Sequence, residues 1–126
     1  MANWETVSTE LQSAYAVTGK TANSLILELD NYSRKQTVVV KHIDSPNDPW
    51  ISIFSRICQL DEVVPETVLI EASETPFGVW IDDNFYGLIH SFPIADLDEN
   101  ELTAPLRLVM EHADKMERKL TGRDEL

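Results

Sequence analysis

Apolar residues alternate with polar ones over most of this chain, and a helical spacing appears near the two ends and once between them. Near the start, apolar residues recur at intervals of three and four, which is typical of one helix face. Asn3 is a suitable N-cap, and Gly19 suits the left-handed backbone that ends many helices. The pattern predicts a first helix over residues 3–18. Its apolar stripe consists of Trp4, Val7, Leu11 and Tyr15.

Three strand-like runs rich in valine and isoleucine follow, joined by short polar links. Because a parallel pair needs a crossover of about a dozen residues, short links favour antiparallel neighbours. The predicted strands are Ser24–Asp30, Lys35–Asp44 and Trp50–Gln59.

The two faces of this predicted sheet are both apolar. Leu25, Leu27 and Leu29 alternate on one face of the first strand, whereas the second strand contains three consecutive valines, Val38 to Val40. One face must be the core, and the other is apolar enough to need partial cover, which indicates a partner surface. The candidate residues for this surface are Val38, Val40, Trp50 and Phe54.

A short helix and a hairpin are predicted next. Pro65 and Glu66 suit a first helical turn within the range Asp61–Ser73. Asp83 and Asn84 both tolerate a left-handed backbone, so they predict a two-residue turn that sets Trp80 across from Gly87. The hairpin strands are Phe77–Asp82 and Phe85–Pro93.

The chain closes with an amphipathic helix. Asp98 and Glu101 have the spacing of a capping box, so the helix is expected from Asp98 to Leu120. Pro105 cannot donate a helical hydrogen bond and clashes with the preceding turn, so the helix either kinks there or begins near Thr103. Asp114 is expected on the solvent side, paired with Arg118.

The predicted order is therefore α-β-β-β-α-β-β-α within a single domain, residues 1–126. Strand runs broken by helices without strict alternation indicate an α+β fold. We expect an antiparallel sheet of about five strands, with helices packed on it.

The amino-acid composition argues against several classes of function. Twenty-two acidic residues against ten basic ones give a net charge of −12, which disfavours binding to nucleic acid or to anionic membranes. No apolar run approaches the roughly 20 residues of a membrane span, and the first residues do not resemble a signal peptide. With a single cysteine, Cys58, no intrachain disulfide can form. We expect a cytoplasmic protein.

No set of residues in the sequence has the spacing of an active site. His42, His90 and His112 stand apart without a second ligand at metal-binding spacing, and the glycines do not cluster into a phosphate-binding loop. Cys58 lies in an apolar strand and is expected to be buried and inert. We therefore expect no catalytic activity, no metal and no cofactor.

The stretch from Pro65 to Leu120 resembles the YbjN-type, type III secretion chaperone-like family. The resemblance rests on a short helix before the hairpin, a hairpin ending in Pro-Ile-Ala-Asp-Leu-Asp, a Glu-Leu opening of the last helix, and Ala113-Asp114 late in it. The family commonly has asparagine after the short helix, where this chain has Ser73, which can also terminate a helix.

This resemblance implies a small acidic α+β domain that is often dimeric, binds other polypeptides, and has no catalytic residues or cofactor. In the family, dimer contacts involve the short middle helix and the neighbouring hairpin. The corresponding residues here are Val64, Val68, Trp80 and Tyr86.

Two functions follow as hypotheses. The first is a non-enzymatic polypeptide-binding, chaperone-like or adaptor module, homodimeric, whose partners are other polypeptides. The second is a small-molecule-binding regulator or an unrecognised enzyme, with a pocket between the sheet and the C-terminal helix.

Overall fold

The computed structural model describes residues 3–31, 34–44, 49–94 and 102–122. Six strands form one sheet, and every neighbouring pair is antiparallel, in the order β1-β2-β3-β4-β6-β5. The α+β class and the antiparallel sheet are confirmed, with one strand more than expected. The elements in chain order are α1 Trp4–Ala14, β1 Ala16–Lys20, β2 Ser24–Asn31, β3 Arg34–Asp44, β4 Pro49–Gln59, α2 Pro65–Ala72, β5 Gly78–Asp82, β6 Phe85–Pro93 and α3 Thr103–Thr121.

The additional strand comes from the predicted first helix, which is shorter than expected. The side chain of Asn3 caps α1 as predicted, accepting a hydrogen bond from the Thr6 backbone N–H, but the chain becomes extended at Tyr15. The next residues pair with β2 as β1. Gly19 was predicted to end the helix and instead lies in this strand, where a Cβ would come within 2.9 Å of the Ile26 side chain. Tertiary pairing along β2 therefore overrides the local helical pattern.

The helices share one buried cluster with one face of the sheet. Leu11 from α1, Val68 from α2 and Leu106 from α3 belong to the same core as alternate residues of the central strands. Their common membership places all three described helices on the same side. The strand residues of this core include Leu25, Leu27, Val38, Val40, Ile51, Ile53 and Leu88.

The last helix begins at Thr103, which is the second of the two predicted alternatives. Pro105 is then its third residue, where a backbone N–H has no helical partner, so the proline costs no hydrogen bond. The helix ends at Gly122, whose left-handed φ of 75° lets its N–H bond the Arg118 carbonyl. Asp98 and Glu101, the predicted capping pair, lie outside the described residues.

Two polar residues of α3 are buried, and one of them was expected to be exposed to solvent. Asp114 was expected on the solvent side, but it is buried, as is Glu117 three residues later. Gln36 of β3 is buried as well, and it donates hydrogen bonds to Ser55 Oγ at 3.1 Å and to the Arg56 carbonyl at 3.3 Å. The helix therefore buries a wider arc than its apolar stripe alone indicates.

An ion pair joins the short middle helix to the last one. Lys119 Nζ lies 2.9 Å from Glu71 Oε2. This hydrogen bond and the carboxylate charge raise the pKa of Lys119 above its ordinary value. Because the folded pKa is raised, the pair's contribution to stability is complete below the ordinary lysine pKa and is lost as pH rises through the raised value.

Leu106 and Leu108, two positions apart in α3, test which side of the helix packs into the core. Leu106 is fully buried, whereas Leu108 is 46% exposed. We expect Leu106→Ala to lower the free energy of unfolding by about 2–5 kcal/mol because it leaves a cavity. Leu108→Ala should change it by less than about 1 kcal/mol. Urea unfolding followed by circular dichroism measures both, and equal losses would contradict the assigned packing.

Candidate functional site

The face of the sheet turned away from the helices is apolar. Side chains of neighbouring positions point to opposite sides of a strand, so residues between the core positions must point away from the helices. Phe54 and Ile89 are buried yet do not belong to the helix-side core. We call this surface the open face. Its apolar residues include Ile26, Val39, Ile43, Trp50, Phe54, Trp80, Phe85 and Ile89.

Phe54 is at the centre of the open face. Val39 and Ile89 are its direct partners on the strands to either side. Its ring also lies over Gly87, occupying the place that a Cβ of that residue would need. As a result, Phe54 is only 6% exposed although the described helices all lie on the other side of the sheet. Over the residues that the structure describes, its neighbours on the open face bury it without a covering helix.

Gly87, which lies beneath Phe54, was predicted to lie across from Trp80. The predicted register is confirmed, since Trp80 pairs with Gly87 across a turn in which Asp83 and Asn84 have positive φ. The atoms nearest to the missing side chain, however, belong to Phe54 and to the Ser55 carbonyl. Trp80 therefore keeps about half of its surface exposed.

Polar groups border the apolar centre. The Arg56 guanidinium lies 4.2 Å from the centre of the Phe85 ring, and the hydroxyls of Ser52 and Ser91 are hydrogen-bonded at 2.9 Å. Lys41 pairs with Ser52 across the strands and is exposed on the same face. By the same alternation, Glu28 and Asp82 also lie on this face, so it carries charges of both signs.

The middle helix also has exposed apolar residues. The middle helix contacts β5 and buries Val68 and Ala72. Three other apolar residues at or within this helix are between 57% and 65% exposed. They are Val64, Leu69 and Ile70, which lie about 100–140° apart around the helix axis and so share no single face.

The residues predicted for a protein-binding surface divide into two groups. Val64 and Trp80 are exposed and Trp50 is partly exposed, while Phe54 is buried within the open face. The remaining four are buried in the helix-side core, so their assignment to a surface is wrong. They are Val38, Val40, Val68 and Tyr86.

The reason for this error is the alternation of side chains. Val38 and Val40 pair with Leu27 and Leu25, which places them under the helices. Val39 between them points to the open face and pairs with Ile26 and Phe54. The sequence contains this signal, because the leucines of β2 mark the core side, but three consecutive valines do not show the register. Ile26, Ile89, Leu69 and Ile70 were also missed.

The histidines pack against aromatic rings. His42 stacks on Trp4 with ring centres 5.6 Å apart, and His90 and His112 contact Phe77 at 5.5 and 5.6 Å. Cys58 is buried. Within the described ranges, no group of three or more histidine, cysteine, aspartate or glutamate side chains is placed to hold a metal ion.

One cavity of about 330 Å³ lies where α1, the ends of β2 and β3, and the start of α3 meet. Its lining carries charges of both signs and a phenol. The polar lining residues are Tyr15, Glu28, Asp30, Lys35, Thr103 and Arg107.

Comparison with known proteins adds no identification: no protein-family model matches this chain, and no curated protein matches it. Over the residues that the structure describes, no helix is both long enough and apolar enough to cross a bilayer.

Gly87 offers a direct test of the open face. A methyl group at this position would meet the Phe54 ring and come within 2.8 Å of the Ser55 carbonyl. We expect Gly87→Ala to lower the free energy of unfolding by about 1–3 kcal/mol, as is typical of overpacking. Gly78→Ala in the same hairpin is the control, because its methyl would make only an ordinary 3.5 Å contact with Ile89.

Urea unfolding of the two variants measures the difference. Equal stability of Gly87→Ala and Gly78→Ala would contradict the packing of Phe54 against Gly87.

Proposed function

We propose that this chain is a non-enzymatic polypeptide-binding module, chaperone-like or adaptor in type, that acts as a homodimer. The observation that carries the proposal is the open face, an apolar sheet surface opposite the side on which every described helix packs. Contiguous exposed apolar surface on a folded domain commonly marks a binding site for another protein. The resemblance to YbjN-type and secretion chaperone-like proteins supports the same class of function.

The dimensions of the open face suit a protein partner. Six strands spaced by about 4.8 Å, each contributing some seven residues of about 3.3 Å, give a surface of roughly 25 by 25 Å. This area of roughly 600–700 Å² approaches the ~800 Å² that each partner contributes to a typical stable interface. A partner segment that lies along the face can therefore cover most of it.

The chemistry of the face indicates what kind of segment binds. Ile26 and Trp80 are exposed aliphatic and aromatic contacts, and Trp50 is partly exposed. Arg56 and Lys41 lie beside them and can pair with acidic groups of a partner. We infer an apolar segment of another polypeptide, with neutral or acidic flanking residues. The cytoplasm, as a reducing compartment, suits a chain with a single cysteine.

A small-molecule function is the second candidate, and the 330 Å³ cavity favours it. Glu28, Asp30, Lys35 and Arg107 all line it, so it suits a ligand that carries both charges. A ligand that survives purification and is lost in Arg107→Gln, as seen by native mass spectrometry, would favour this function.

Binding of an unfolded polypeptide tests the first proposal. Reduced, carboxymethylated α-lactalbumin is a suitable probe because it is acidic, so simple attraction to a chain of net charge −12 cannot explain its binding. We expect wild-type protein to bind it, and Trp50→Glu and Ile26→Glu to weaken binding at least tenfold, since each places a charge in the apolar contact. Fluorescence anisotropy of the labelled probe measures the affinity.

Leu108→Glu is the matched control, because Leu108 is an exposed apolar residue on the helix side. It should bind the probe as wild type does. No binding by wild type, or equal weakening by Leu108→Glu, would contradict the proposed function.

A further inference from the structure

Four polar side chains form a row across the open face. By register, one residue from each of β2, β3, β4 and β6 belongs to it, and three of the four are serines. The hydroxyls of Ser52 and Ser91 are hydrogen-bonded to each other. Ser52 is only 2% exposed, so it lies below the side chains around it. We call these residues the serine row: Ser24, Lys41, Ser52 and Ser91.

Larger apolar side chains form a row on each side of the serine row. Each lies two residues further along its strand, in one direction or the other, and the two apolar rows are therefore about 13 Å apart. Together the three rows form a groove with a polar floor and apolar walls. One wall consists of Ile26, Val39, Phe54 and Ile89, and the other consists of Ile43, Trp50 and Pro93.

The groove has the dimensions of an α-helix. A helix with its side chains is about 10–12 Å across, which fits between walls about 13 Å apart. The first wall continues in register to Gly19 and Gly78 at the two edges of the sheet, a distance of about 24 Å over six strands. A helix of this length has about 16 residues. On the helix side, α3 contacts the same four strands as the groove, so one helix can span them.

The place of the groove within the sheet favours a helix over an extended segment. The strands β2, β3, β4 and β6 each have a neighbouring strand on both sides, so their backbone groups are used within the sheet. An extended segment lying on this groove would leave N–H and C=O groups unpaired against the apolar walls, which costs free energy. A helix bonds its own backbone groups and avoids this cost.

Lys41 determines the charge that the bound segment must carry. It is exposed, and it is the only ionisable residue among those that form the floor and the walls. A helix in the groove covers its amine, and covering a lysine charge without an opposite charge is unfavourable. An aspartate or glutamate in the contact would instead form a charge-assisted hydrogen bond with Lys41.

We propose that this groove binds an amphipathic helix of another protein, about 16 residues long, whose apolar face contains one acidic residue that pairs with Lys41. This inference rests on the proposed function and deepens it, because it gives the conformation and the charge pattern of the bound segment. The helix packs between the two walls, where Ile26 is exposed and Val39, Ile43 and Trp50 are partly exposed.

A charge exchange tests the pairing with Lys41. The probe is a labelled helical peptide of about 18 residues, with one glutamate among the leucines of one face and with alanine and glutamine on the other. We expect it to bind wild type in the micromolar range and to bind Lys41→Glu at least tenfold more weakly, because two carboxylates then meet in the groove. A peptide with lysine in place of the glutamate should show the opposite preference. Fluorescence anisotropy measures the four affinities.

Lys115→Glu is the matched control. Lys115 is exposed on α3, on the helix side of the sheet, so this variant changes the net charge by the same amount without altering the groove. It should bind both peptides as wild type does. Circular dichroism of the two variants should match that of wild type.

A proline in the peptide tests the conformation of the bound segment. Placed at the centre of the outer face, it interrupts the helix and leaves the side chains that face the groove unchanged. We expect this peptide to bind wild type at least tenfold more weakly than the helical one. An extended segment would bind equally well with the proline.

Three results would overturn this inference. They are no binding of the helical peptide by wild type, equal binding of the proline peptide, and equal effects of Lys41→Glu and Lys115→Glu. Failure of the proposed function is seen separately, as the absence of binding of carboxymethylated α-lactalbumin by wild type. A chain that binds α-lactalbumin but gives any of these three results retains the proposed function and loses the bound helix.

Discussion

The burial of Phe54 against Gly87 shows the main constraint on this structure, which is that one sheet has two apolar faces and the described helices cover one of them. On the helix side, side chains from all three helices bury the alternate residues of the central strands. On the other side, the sheet must bury its own apolar residues. Phe54 does so by lying across a residue that has no side chain, with Val39 and Ile89 on either side. This arrangement covers the centre of the face and leaves Trp80 and Ile26 exposed.

Much of the fold follows from local patterns in the sequence. The hairpin is predictable because Asp83 and Asn84 accept positive φ, and this turn fixes the register that places Trp80 opposite Gly87. Pro65 opens the middle helix for an equally local reason, since its fixed φ suits a first turn. In these elements, the residue types at a few positions are enough to predict the local structure.

The remaining features depend on contacts that local patterns do not contain. The helical spacing continues to Tyr15, yet residues from Ala16 onward pair with β2 and form β1, a tertiary contact that the local pattern does not contain. Likewise, Val38 to Val40 are equally apolar, and only their pairing with β2 and β4 shows that Val39 belongs to the open face. The burial of Asp114 depends on how α3 rotates against the sheet, which its apolar stripe defines only approximately.

Hydroxyl-radical footprinting of the protein with and without the unfolded polypeptide tests the central claim most directly. Trp50 and Ile26 lie on the open face, whereas Leu108 lies on the helix side. The account predicts that the polypeptide slows oxidation of Trp50 and Ile26 and leaves Leu108 unchanged. Protection of Leu108 with no change at Trp50 and Ile26 would contradict it.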